Sequence, residues 1–267
     1  MSGNPARQYH LQCAPGEVGG YVLLPGDPGR VAPLASLLDE AWPVASNREF
    51  TTWSGMLSGV LVSVVSTGIG GPSAAIAVEE LCNLDAHTLL RVGTCGAMQR
   101  GLERGDLIVV QAAVRDEGTS HQYMPAEWPA TASAGIVESL RAVAQERGVR
   151  HHVGTVQTKD SFYGEMQPDR MPVAESLRAR WHAWLAAGVL ASEMECAAVL
   201  TVAAVRGARA GAVLAVINTT PAAMMPAPQE VPLDALLDVA VAGLGRLVRA
   251  DQAAGRIHVR PEGDLAR

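Results

Sequence analysis

The sequence predicts an α/β fold in which a mostly parallel or mixed sheet is covered by helices. Three observations predict it. Short β-branched runs alternate with longer alanine- and leucine-rich stretches along 267 residues. No Ser/Gly-rich linker, low-complexity run or internal repeat divides them, so one domain spanning 1–267 is expected. Three of the apolar runs also lead straight into glycine turns, and ligands of such folds sit at the carboxyl ends of the strands.

The first strand is expected at Tyr21–Leu24, running into Pro25-Gly26-Asp27-Pro28-Gly29-Arg30, with a helix over Val31–Glu40. Phe50–Trp53, followed by Ser58-Gly59, reads as a hairpin arm feeding a strand at Val60–Val65. That strand leads into Ser66-Thr67-Gly68-Ile69-Gly70-Gly71, then a helix over Pro72–Leu84, whose proline suits the first turn. A strand at Thr88–Val92 ends in Gly93-Thr94-Cys95-Gly96. Further strands are expected at Leu107–Ala113, His152–Val156 and Ala212–Val216. Helices are expected at Ala134–Arg147, Ala174–Ala187, Glu193–Gly207 and Pro232–Ala250. The polar, proline-bearing tail over 251–267 is expected to fray.

Composition narrows the function. Hydrophobic residues make up 48% and charged residues 18%, which is ordinary globular usage. A net charge of −6 with no basic stripe argues against nucleic acid as a partner. No apolar run reaches the roughly eighteen residues a membrane helix needs. Four scattered cysteines without a CxxC fit a reducing compartment. No segment pairs a basic start with an apolar core, so a cytoplasmic location is expected.

Glycine turns let backbone N–H groups approach a ligand, and Arg30 falls in the first turn of the helix after Gly26, a position that favours an anion. Arg91 interrupts the apolar strand Leu89-Leu90-Arg91-Val92. A buried charge there is costly unless paired, so a ligand phosphate or a fixed carboxylate is implied. Thr94 adds a hydroxyl donor. Ser192-Glu193-Met194-Glu195 opens an apolar helix; its carboxylates either cap that helix or grip vicinal hydroxyls such as a ribose carries. Phe162, with Gln167 and Arg170 beyond it, offers a stacking ring plus donors and an acceptor for a planar base. The glycines at 68–71 lack the third glycine of a dinucleotide fingerprint, and there is no Walker lysine. His151-His152 has no metal-ligand spacing around it, and Cys95 has no histidine near it in sequence to act as base.

Together these segments resemble the hexameric-type nucleoside phosphorylase family, in its bacterial uridine-cleaving branch. The carrying segments are Leu24–Arg30, Asn47–Trp53, Ser66–Glu80, Arg91–Ala97, Asp160–Tyr163 and Glu193–Glu195, in family order across Tyr21–Val205. The resemblance implies a three-layer α/β/α fold, a trimer of dimers with sites shared between subunits, and reversible phosphorolysis of a pyrimidine nucleoside. It implies phosphate as co-substrate and no organic cofactor. Phosphate is expected on Gly26, Arg30, Arg91 and Thr94, with Arg48 from a neighbouring subunit. The ribose is expected on Thr94, Met194 and Glu195, with His10 reaching across from the partner, and the base on Phe162, Gln167 and Arg170. Arg30, Arg48, Arg91 and Glu195 would carry the catalysis. A potassium ion at the dimer interface would use Glu49, Ile69 and Ser73.

The chain departs from the family pattern in two places. Gln167 and Arg170 are three apart rather than two, and a threonine follows Asn218 where the uridine subtype often carries an arginine. Asn218 also replaces the aspartate general acid of the purine subtype, which favours pyrimidines. Alternatives are a purine nucleoside phosphorylase, a nucleosidase of the same fold, and a non-catalytic nucleoside-binding paralogue.

Overall fold

The computed structural model describes residues 7–219 and 231–256. Ten strands and seven helices follow one another among them: β1 (Tyr21–Pro25), α1 (Val31–Ala35), β2 (Asp39–Asn47), β3 (Phe50–Leu57), β4 (Val60–Val65), α2 (Gly71–Asn83), β5 (Thr88–Ala97), β6 (Leu107–Asp116), β7 (Ala130–Thr131), α3 (Ala134–Glu146), β8 (His151–Lys159), α4 (Phe162–Met166), α5 (Ala174–Ala186), β9 (Ala191–Glu193), α6 (Cys196–Val205), β10 (Arg209–Asn218) and α7 (Asp234–Ala253). The strands form one mixed sheet in the order β10-β6-β8-β9-β5-β1-β4-β3-β2, with β7 on β6. β10 also pairs with β5, so β5, β9, β8, β6 and β10 close into a ring.

The sheet is buried on both faces, and alternate side chains of one strand serve different cores. Val22 and Leu24 of β1 pack in a cluster with Ala74 and Leu81 of α2 and Val199 of α6. Tyr21 and Leu23 pack in a second cluster with Leu34 of α1, Leu140 of α3 and Leu244 of α7. The expected three layers are therefore present, and the β-branched runs marked as strands all lie in the sheet.

The differences are local. The helix expected over Val31–Glu40 stops at Ala35, and Asp39 begins an edge strand. Its exposed pattern and Pro43 hide that strand from periodicity, although an edge position tolerates proline. The helix expected from Glu193 begins at Cys196, because Glu193 closes β9. The last helix runs to Ala253, beyond the expected Ala250. Asp251 is buried there, accepting hydrogen bonds from Tyr21 Oη (2.7 Å) and Arg209 Nη2 (2.6 Å). The remainder of the tail, from 257, lies outside the described residues.

Candidate active site

The site is built where β1, β5 and β9 end or meet. Arg91 of β5 is 3% exposed. Its Nε donates to Glu193 Oε2 (3.1 Å), and its Nη2 pairs with Glu195 Oε2 (2.5 Å). Its Nη1 is buried with no hydrogen-bond partner, and that nitrogen lies 3.9 Å from where a Cβ on Gly26 would sit. Burial alone would lower the pKa of this guanidinium; the carboxylates of Glu195 and Glu193 outweigh it and hold the group charged. A charged donor is thus clamped on two sides and aimed at the Gly26 turn on the third. Gly93 makes the clamp possible, since a Cβ there would meet Arg91 Nη2 and Leu214 Cδ2 at 2.8 Å.

The two carboxylates divide the work that the sequence leaves open. Glu193 accepts from the backbone N–H of Glu195 (2.8 Å) and of Cys196 (2.9 Å), and from Thr158 Oγ1 (2.5 Å). It is the cap of α6. Glu195 makes no capping bond; its Oε1 accepts from the backbone N–H of Gly70 (2.5 Å). Burial raises the Glu195 carboxyl above its ordinary value, Arg91 opposes that rise, and Glu193 adds to it. The Gly68–Gly71 turn therefore orients Glu195 as well as opening α2.

A cavity of about 880 Å³ joins these groups, with Gly26, Arg30, Arg91, Thr94, Met194 and Glu195 all in its wall. Phe162 lies in it too, as do Lys159, Glu165 and Ser192. Asp27 braces the first turn by accepting from Gly29 N (2.8 Å), and it lies 3.9 Å from Arg30 Nε. Burial lowers the Arg30 pKa, and nearby Asp27 counters this. Cys95 is buried and its thiol pKa is pushed up by burial, so it is no nucleophile at neutral pH.

Five expected residues lie outside this wall. Gln167 and Arg170 sit beside the exposed turn Pro168–Arg170 and hydrogen-bond each other. Arg48 is at the exposed tip of the β2–β3 hairpin, in the left-handed region at φ 55°. His10 lies next to that tip, its Nδ1 2.7 Å from Glu80 Oε1. Glu49 and Ile69 line the wall, and Ser73, the fifth residue outside it, meets Glu49. Ser73 Oγ donates to Glu49 Oε1 (2.9 Å), Ile69 is 80% exposed, and a Cβ on Gly68 would collide with Glu49 Cγ at 2.7 Å. A carboxylate, a hydroxyl and backbone carbonyls are hard oxygen donors, which fit an alkali cation rather than a transition metal.

Sequence reasoning missed Lys159, Glu165 and Arg104 in the wall. Lys159 carries a legible signal, a lysine closing an otherwise uncharged strand just before Asp160-Ser161. Glu165 and Arg104 carry none.

A charge-lined cleft at the strand ends of a three-layer α/β/α frame defines a small-molecule site of the kind enzymes use. The chain belongs to the Phosphorylase superfamily, whose sequence model matches residues 21–242. It is 47% identical over 211 residues to the uridine phosphorylase of Treponema pallidum, covering 79% of this chain and 82% of that one. It is 42% identical to the uridine phosphorylase of Escherichia coli, over 78% of this chain and 85% of that one. A guanosine phosphorylase of Halorubrum lacusprofundi is 40% identical, over 79% and 83% of the two chains. The crystal structure of uridine phosphorylase from Vibrio fischeri superposes with a TM-score of 0.79 at 29% identity, covering 93% of this chain and all (100%) of that one.

Proposed function

We propose that this chain catalyses reversible phosphorolysis of a nucleoside, with uridine and phosphate giving uracil and ribose 1-phosphate. The observation that carries the reading is the unpartnered Arg91 Nη1, a buried cationic donor aimed at the Gly26 turn. A buried donor of that kind is costly unless a ligand oxygen completes it.

Phosphate would sit between the Gly26 backbone, Arg30, Arg91 and Thr94, with Arg48 supplied by a second copy of the chain. Met194 and Glu195 would hold the ribose, with the second copy's His10 at its far end. Glu195, kept in place by Gly70, would accept from the sugar hydroxyls, which sets C1′ above the phosphate. As the C1′–N1 bond lengthens, positive charge grows on the sugar, and a phosphate oxygen stabilises it and then bonds to C1′. The electron pair of the broken bond leaves with the base. The arginines act by orientation and fixed charge, where one well-placed group is worth about 3–4 kcal/mol in the transition state. Phe162 would stack on the base, and Gln167 and Arg170 would reach it only if their turn folds inward over the cleft.

Glu49, Ser73 and the Ile69 carbonyl would supply half the shell of a potassium ion, the rest coming from the second copy. Such an ion would hold two copies in register. The copies would assemble as a trimer of dimers.

The test is base release from uridine with and without inorganic phosphate. The expected result is phosphate-dependent uracil release with equimolar ribose 1-phosphate. Release independent of phosphate would make the chain a nucleosidase, and binding without turnover would make it a nucleoside-binding protein.

A further inference from the structure

Glu80 of α2 is a carboxylate only 8% exposed. Among the described residues no arginine or lysine pairs with it; its ion-pair partner is His10. Residues 10 and 11 wrap around it. Oε1 accepts from the backbone N–H of His10 (2.9 Å) and Oε2 from that of Leu11 (2.8 Å), with the His10 N–H also 3.0 Å from Oε2. The His10 ring turns back onto the same group, its Nδ1 2.7 Å from Oε1. A buried carboxylate persists where hydrogen bonds of this kind replace water. The rings of Tyr9 and Phe50 meet the imidazole edge-on, at centroid distances of 4.7 and 6.3 Å.

We infer that Glu80 is a positioning residue, which fixes the tautomer of His10 and so makes Nε2 a hydrogen-bond acceptor. A carboxylate can only accept, so Nδ1 carries the hydrogen. In the neutral imidazole the other nitrogen then keeps its lone pair. Nε2 has no hydrogen-bond partner among the described residues, and the His10 side chain is 27% exposed. Whatever Nε2 meets must therefore donate. A hydroxyl fits, whereas a fluorine, an ether or a phosphate dianion, which only accept, do not. The inference rests on the phosphorolysis reading, in which the second copy's His10 stands at the far end of the ribose.

α2 places this carboxylate. Gly70, directly before the helix, holds Glu195 of the chain's own cavity. Glu80 lies ten residues further on, roughly 15 Å along the axis. One helix thus orients a carboxylate of its own site and the histidine assigned to a neighbouring one.

Glu80→Gln, nearly equal in shape, should reverse the tautomer. The two backbone N–H groups that share Oε2 cannot give up their hydrogens, so the amide oxygen must take that place. The amide NH2 then faces Nδ1, which can accept only if its hydrogen moves to Nε2.

The test compares uridine with 5′-deoxy-5′-fluorouridine, whose fluorine is close to a hydroxyl in size but cannot donate. Phosphorolysis of both is measured for the unaltered protein, Glu80→Gln, His10→Ala and the double variant. The unaltered protein should favour uridine by roughly tenfold or more in kcat/KM, as a site does when an analogue leaves its polar group unpaired. Glu80→Gln and His10→Ala should each lose most of that preference, and the double variant should lose no more than His10→Ala. A Glu80 that merely folded the segment would lower both substrates alike. No preference in the unaltered protein, or an unchanged ratio in Glu80→Gln, overturns the assignment.

The ring itself gives a reading that needs neither turnover nor a folded Glu80 variant. Nitrogen NMR of isotope-labelled histidine in alkaline buffer, with the His10 signals assigned by their loss in His10→Ala, should show hydrogen on Nδ1 and a bare Nε2. The reverse overturns the assignment. Absence of any phosphate-dependent cleavage overturns the phosphorolysis reading instead, and the tautomer then decides this one.

Discussion

The side-chain amide of Asn47 donates to the backbone carbonyl of His10 at 2.7 Å. That bond ties the N-terminal segment to the hairpin whose next residue is Arg48, so the two groups assigned to a neighbouring site share one outward patch. His10 is further fixed by Glu80, which accepts from its backbone N–H at 2.9 Å. Arg48 holds a left-handed backbone, which costs a non-glycine residue roughly 1 kcal/mol and is retained where position matters.

A mixing experiment checks this sharing. Arg48→Ala and Arg91→Ala should each be nearly inactive alone. Co-refolded, they should recover up to about a quarter of normal activity, because in a symmetric dimer one site of each mixed pair is intact. No recovery despite mixed assembly, confirmed by native mass spectrometry, would place Arg48 in its own chain's site or in none.

Arg91→Ala carries a second consequence. It leaves Glu193 and Glu195 buried without their cation, so stability should fall by about 3–5 kcal/mol. Chemical denaturation measures this. In Arg91→Ala/Glu195→Gln, which removes one stranded charge, part of the loss should return while phosphorolysis stays absent. Restored activity in the double variant would remove Arg91 from the phosphate site.

At the opposite end of the strands, Asp251 is the acid-sensitive joint. Burial would raise its pKa, but hydrogen bonds from Arg209 and Tyr21 prevail and hold it at about 2, against an ordinary 3.8. A carboxyl depressed on folding stabilises above its unfolded value and loses that contribution as pH falls. Stability should thus decline between about pH 4 and pH 2. Asp251→Asn should lose roughly 1–3 kcal/mol at neutral pH and flatten that decline. Per folded molecule, its activity should be unchanged. Thermal melts across pH check all three.

The cation assignment predicts an ion-specific effect. Melting temperature should be higher in potassium chloride than in tetramethylammonium chloride at equal ionic strength. Glu49→Gln should erase the difference, whereas a persistent difference would place the ion elsewhere.

The strands were legible because both faces of the sheet are buried, and β-branched runs such as Val60–Val65 have no other reading. Arg91 was legible for the same reason, as a charge where none is affordable unless paired. The edge strand Asp39–Asn47 was not, since one side meets water and its periodicity is lost. The division between Glu193 and Glu195 was out of reach too, because both suit a helix start. The Gly70 contact of Glu195, 125 residues away in sequence, and the capping bonds of Glu193 separate them. Gln167 and Arg170 stand out by residue type, whereas Lys159 enters the cavity wall because β8 ends there, which periodicity does not report.

Gly26, Arg91, Met194 and Lys159, all in the cavity wall, belong to or directly follow four different strands, β1, β5, β9 and β8. Under the proposed phosphorolysis, change at the β8 end would therefore act on one part of the substrate while the phosphate end stays untouched. A frame of this kind lets a lineage diversify its diet without relearning its chemistry.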